Sequence, residues 1–178
     1  MEGPLQSFEE AAMPHLDAAY NLARWLTRND KDAEDIVQEA YLRAFKHFGS
    51  FHGGDGRPWL LAIVRNTYYS WIRSNRIPEL GTPFDEETYA TIQDGSDPEM
   101  QMVREADNEM VRGALEELPA EFREIIVLRE FEELSYKEIA DVAKIPLGTV
   151  MSRLARARKR LERILRHWDE EACEGVGA

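Results

Sequence analysis

The sequence predicts an all-α protein made of two small helical domains joined by a flexible acidic linker. Three observations lead there. Apolar residues recur at steps of three and four through most of the 178 residues, as a buried helical face requires. The stretch from Ser135 to Trp168 reads as two helices around a tight turn, the second long and basic. The net charge of −12 is also unevenly spread. Residues 1–78 carry −1 and residues 111–168 carry +2, against −9 for residues 79–110 and −4 for the last ten. Nearly all the excess negative charge therefore sits in two connecting segments, and a phosphate backbone could still be attracted locally.

Composition sets further bounds. An apolar share of 43%, with four Trp, seven Phe and six Tyr, supports real cores rather than a disordered chain. No apolar run approaches the ~20 residues of a membrane span. The start, MEGPLQSFEE, has neither the basic residues nor the apolar core of a secretory signal. The expectation is a cytoplasmic protein without membrane insertion. The lone Cys173 agrees with a reducing compartment.

In chain order, Phe8, Ala12, Leu16, Ala19, Ala23 and Leu26 predict one amphipathic helix over residues 5–27, broken by Asn29 and Asp30. A second helix from about Asp32 places Ala33, Ile36, Val37, Ala40, Tyr41, Ala44 and Phe48 inside. Asp35, Gln38, Glu39, Leu42 and Lys46 face outward. Leu42 among polar residues is either a stray surface leucine or the anchor of a protein interface flanked by acidic side chains.

The loop FHGGDG lacks the lysine and hydroxyl of a phosphate-binding loop. Pro58 then opens a third helix whose inner stripe is Leu60, Ile63, Val64, Thr67 and Trp71. Opposite lie Arg65, Asn66, Tyr69, Arg73 and Arg76, a mixture suited to stacking unpaired bases while neutralising phosphates. Core packing accounts well for Trp71 and poorly for Tyr69; Trp59 fits either role.

Residues 79–105 lose periodicity and read as the acidic linker. Helix resumes near Ala106 with Met110, Leu115 and Leu118. Pro119 opens another bearing Phe122, Ile125, Ile126 and Leu128. Ser135 and Glu138 then form a capping box ahead of Ile139, Val142 and Ala143. Pro146 suits the first turn of the following helix, and Gly148 offers no side chain to obstruct close approach. That last helix carries Val150, Leu154, Ala157, Leu161, Ile164 and Trp168 on one face and Ser152, Arg156, Lys159, Arg163 and Arg166 on the other. The pair reads as a helix-turn-helix entering a DNA major groove, or as a helical hairpin with a solvated basic face. Residues 169–178 read as an unstructured acidic tail. No catalytic constellation, metal-ligand spacing or cofactor motif is present, so neither an enzyme nor a cofactor is expected.

Two separated segments resemble one family. DAEDIVQEAYLRAFKHFGSF with RPWLLAIVRNTYYSWIR resembles the polymerase-binding and promoter-melting helices of group IV, or extracytoplasmic-function (ECF), sigma factors of the sigma-70 family. LEELPAEFREIIVLREFEELSYKEIADVAKIPLGTVMSRLARARKRL resembles that family's C-terminal promoter-binding domain. The resemblance implies a sigma2-like domain over residues 5–78, the linker over 79–105, a sigma4-like four-helix domain over 106–168 and the tail over 169–178. It implies a dissociable, monomeric specificity subunit that binds core RNA polymerase and promoter DNA and is held by an anti-sigma factor. On that resemblance Asp35, Gln38, Glu39 and Leu42 would face core polymerase. Phe51, His52, Trp59, Arg65, Asn66, Tyr69, Arg73 and Arg76 would meet the −10 element. Thr149, Ser152, Arg153, Arg156, Arg158 and Lys159 would meet the −35 element. Two other readings stand beside it: a helix-turn-helix regulator that never touches polymerase, and a decoy that sequesters an anti-sigma factor.

Overall fold

A computed structural model describes residues 6–75 and 108–175. Arg76 and the linker at 79–105 lie outside the described residues, which contain eight α-helices and no strand. The first helix, α1 (Phe8–Ala12), starts at a capping box: the Glu10 N–H donates to Ser7 Oγ and the Ser7 N–H to the Glu10 carboxylate. Pro14 then interrupts the path through a 3-10 turn, Met13–His15, before α2 (Leu16–Thr27). The single helix expected over residues 5–27 is thus two, and Leu16, assigned to its buried face, is exposed. Arg28 ends α2 in the left-handed region, and Asn29 caps α3 (Asp30–Lys46) by accepting the Asp32 N–H.

A glycine turn with Gly53 and Gly54 at positive φ leads to α4 (Gly56–Asn75). Asp55 accepts the Arg57 N–H at 2.9 Å, which secures the start of α4. A Cβ on Gly56 would stand 1.9 Å from the Ala11 carbonyl oxygen, so α4 can begin against α1 only because that residue is glycine. Helices α2, α3 and α4 enclose Leu22, Leu26, Ile36, Leu60, Leu61 and Val64, all almost wholly buried. Each such side chain contributes about 1.5–3 kcal/mol.

The second body begins with α5 (Asn108–Glu117) and, after Pro119, α6 (Ala120–Ile126). A π turn, Val127–Phe131, follows, closed by Glu132 N–H to Val127 O at 3.1 Å. Ser135 makes the expected capping box for α7 (Tyr136–Ala143). Lys144 turns the chain in the left-handed region, and α8 (Leu147–Gly175) runs for 29 residues, about 44 Å. Residues 169–175, expected as unstructured tail, continue α8. No Gly or Pro lies between Thr149 and Glu174, and Glu171 sits one turn from His167 at 3.4 Å.

The two bodies share one continuous apolar core. α6 and the π turn pack on α2, and α7 lies along α4. Arg123, almost wholly buried, donates to Glu116 O and Leu118 O at the end of α5 and to Leu26 O near the end of α2. It therefore satisfies terminal carbonyls of both bodies with a charge of the sign that helix C-termini favour. Burial and the nearby Arg28 lower its pKa to about 10, which still leaves it cationic at neutral pH. Arg28 donates to the same Glu116 O, Asn21 to Glu132, and Trp25 packs against Phe131 at 5.8 Å.

Gly113 faces Trp168 so closely that a Cβ would lie 2.7 Å from the indole edge. Gly56→Ala should destabilise the fold by about 1–3 kcal/mol through overpacking. Gly148→Ala, with open space around it, should be neutral or stabilise by about 0.5–1 kcal/mol through helix propensity. Thermal melts followed by circular dichroism check both, and an unchanged melting temperature for Gly56→Ala would contradict the close approach.

Candidate nucleic-acid interface

Helix α3 turns its inner stripe, Ala33, Ile36, Val37, Ala40 and Ala44, into the first core. Asp35, Gln38, Glu39 and Leu42 are left on one exposed face, with Leu42 60% accessible. Phe45, one turn beyond Leu42, is 66% accessible and extends this apolar spot. Its edge meets Phe8 at 5.4 Å. The sequence reading passed over Phe45, although its three-residue spacing from Leu42 was there to be seen. Glu39 is held by Arg43 at 2.8 Å. Between α3 and α4 a shallow groove of about 210 Å³ is lined in part by Asp35, Glu39 and Trp71. Trp71 packs against the core as expected, but it is only partly buried and also lines this groove.

The residues expected to meet melted DNA separate into two groups. Phe51 and Trp59 pack together at 5.0 Å, with Phe48 5.7 Å from Phe51, so the glycine loop ends in an aromatic cluster beside the start of α4. His52 is exposed next to it. Asn66, two helical turns beyond Trp59, lies partly open on the same side of α4, and Arg73, two turns further, is exposed. Arg73 donates to Ser70 Oγ at 3.4 Å.

Arg65 and Tyr69 are placed differently. Both donate to one carboxylate oxygen of Glu124 on α6, at 3.0 Å from Arg65 Nε and 3.2 Å from Tyr69 Oη. The guanidinium also lies over the Tyr69 ring, 4.6 Å from its centre. Glu124 is wholly buried, and its other oxygen, Oε1, has no hydrogen-bond partner. Burial pushes the Glu124 carboxyl above the usual range, with the Arg65 charge opposing the shift. Burial likewise raises the Tyr69 hydroxyl. The open cationic and aromatic face expected for α4 is thus covered at these two positions by the second body.

On α8 the exposed side runs through Met151, Ser152 and Ala155 to Arg160, Arg163 and Arg166, with Thr149, Arg156 and Lys159 at its margins. Arg156 donates to Ser152 O at 3.2 Å and reaches Ser152 Oγ at 3.3 Å. Two expected DNA contacts prove otherwise placed. Arg153 is only 7% accessible because it stands three residues from Val150 and four from Ala157, within the buried stripe. Arg158 pairs with Glu130 at 2.6 Å and ties α8 to the π turn. Arg160, exposed midway along the helix, was missing from the expected set.

Among the described residues no group of three His, Cys, Asp or Glu could hold a metal, and no helix is long and apolar enough to cross a membrane. What the arrangement offers is recognition: an exposed leucine beside carboxylates on one body, an aromatic and amide patch beside it, and a basic helix on the other body.

Known proteins show the same plan. Residues 12–77 match the family model of sigma-70 region 2, and residues 108–161 that of sigma-70 region 4. The chain is 33% identical to the ECF RNA polymerase sigma factor SigE of Mycolicibacterium smegmatis, over 98% of its own length and 68% of that protein's. It is 31% identical to the RNA polymerase sigma-H factor of Pseudomonas aeruginosa, over 96% and 92%. Among solved structures it is similar to the sigma factor RpoE of Bartonella quintana, determined with the anti-sigma factor NepR. That match has a TM-score of 0.69 at 28% identity and covers 91% of this chain and 98% of the other. The chain belongs to the ECF family of RNA polymerase sigma factors.

Proposed function

We propose that this chain joins core RNA polymerase as its promoter-specificity subunit, docking through α3, capturing melted −10 DNA through the first body and reading −35 duplex through α8. The exposed face of α3 carries this reading. A 60% exposed leucine flanked by Asp35, Gln38 and Glu39 has no work inside the fold, and it suits an apolar anchor ringed by acidic contacts to a basic partner surface.

At the −10 element, Trp59, Phe51 and Asn66 provide stacking surface and an amide able to hydrogen-bond a base edge. Unstacking a base costs a few kcal/mol, so sequences that open easily and fit the patch are favoured. At the −35 element the working face of α8 is Ser152 and Arg156, with Thr149 and Lys159 at its edge. Arg160 and Arg163 would meet phosphates, joined by Arg166 once it leaves its pairing with Glu162. Residues 5–78 and 106–168 are the functional units of this scheme, with residues 79–105 as the tether between them. A solved relative is bound by an anti-sigma factor, and the same kind of partner is proposed here, holding the free subunit until a signal arrives.

The decisive experiment adds purified chain to sigma-free core enzyme on a promoter library and reads run-off transcripts; no start site above background would overturn the proposal. Leu42→Ala combined with Asp35→Ala should weaken core binding by tenfold or more, as expected from about 1.5–3 kcal/mol of lost apolar burial. Asn66→Ala should leave core binding intact and reduce permanganate-reactive thymines in the −10 region. Arg156→Ala should cost about 1–3 kcal/mol on a preferred −35 sequence and far less on others if it reads a base. An equal loss on all sequences would make it a phosphate contact.

A further inference from the structure

The described surface offers three devices beyond the proposed interfaces: a cleft between α2 and α5, the exposed Phe45, and the carboxylate that α6 inserts against α4. The cleft, about 360 Å³, mixes Arg24, Arg112 and Glu109 with Trp25 and Phe131 and points to no single occupant. Phe45 extends a face already assigned. The inserted carboxylate carries more.

We infer that Glu124 is a self-masking latch: in the free protein it occupies, on Arg65 and Tyr69, the place of a nucleic-acid phosphate, so the closed chain withholds these two side chains from melted DNA while Phe51, Trp59 and Asn66 stay at least partly open. This rests on the reading of Arg65 and Tyr69 as −10 contacts. A carboxylate receiving an Arg N–H and a Tyr O–H on one oxygen presents the charge and acceptor geometry that a phosphate oxygen would bring. The Arg65 side chain retains only 16% of its accessibility and Glu124 none, so no strand reaches them while α6 is seated. The seating is built, not incidental. Arg123, the neighbour of Glu124, crosses to Leu26 O at 3.3 Å, and α7 covers the adjoining length of α4. Oε1 of Glu124 has no partner in the closed form, and separation of the bodies would hydrate it. Closed and DNA-bound forms compete for the same two side chains, so whatever separates the bodies, core polymerase included, frees this pair as part of the same event.

The test uses the full chain with dyes at the native exposed Cys173 and at Lys31→Cys, also exposed, to read the distance between the bodies by single-molecule energy transfer. The parent should populate mainly the closed distance. Glu124→Gln and Glu124→Ala should shift the population to longer distances. They should raise affinity of free protein for a single-stranded −10 oligonucleotide on the order of tenfold. Glu117→Gln, an equal charge change at an exposed site, should do neither, and circular dichroism establishes that each variant keeps its helices. Unchanged distances in both Glu124 variants overturn the latch. A shift in distance with no gain in oligonucleotide binding, and no loss when Arg65→Ala is added, overturns instead the assignment of Arg65 to DNA.

Discussion

A carboxylate with no access to solvent, held by an arginine and a tyrosine of another domain, fixes how the two halves of this molecule meet. Such a pair stands in unstable balance. Removing an ion pair from water costs several kcal/mol per ion, and the mutual attraction repays this only where geometry and hydrogen bonding are good. Here Glu124 Oε2 is well served at 3.0 and 3.2 Å, whereas Oε1 is not served at all. The contact is therefore specific without being strongly stabilising. Loss of one partner would strand a buried charge, at about 3–5 kcal/mol. Apolar burial around it, along α2, α6 and the π turn, supplies the driving force for association. The polar contacts choose the register.

The same economy appears at Arg123. Its guanidinium is drawn to the carbonyl ends of α5 and α2, where unsatisfied acceptors and the helix dipole both favour a cation. Nε of Arg123 stays without a partner, as does the buried Tyr68 hydroxyl, whose pKa burial raises to about 12. Several polar atoms at or near the junction are thus incompletely satisfied. Incomplete satisfaction is costly in a closed form and is relieved in an open one.

Helical patterning made the individual elements legible and left their mutual arrangement dark. The inner stripe of α3 and the capping box of α7 follow from spacing and local hydrogen bonding, and both stand where that logic puts them, except that Tyr41 is half-buried and Phe48 falls in the turn beyond α3. Pro14 was equally visible, but an unbroken apolar rhythm from Phe8 to Leu26 concealed the turn it imposes. Arg153 shows the opposite error. The family resemblance counts it among the −35 contacts, whereas its position between Val150 and Ala157 puts it inside. Tyr69 was the informative residue: its own helix could not account for it, because its partner lies 55 residues further along the chain. Periodicity reports that a face is covered and carries no information about what covers it.

The division of cations on α8 then has a consequence for how an acidic protein addresses DNA. Seven Lys and Arg fall between Met151 and Arg166, yet Arg153 is buried and Arg158 is engaged by Glu130. The exposed charge of Arg160, Arg163 and Arg166 is displaced toward the far end of the helix, while its beginning presents Met151, Ser152, Ala155 and Arg156. A helix that enters a groove with its first turns brings base-reading side chains forward and leaves cations behind to meet the phosphate rim. On the proposed reading so short a row would neutralise few phosphates, and the helix would depend on the other body, and on polymerase, to hold it in place.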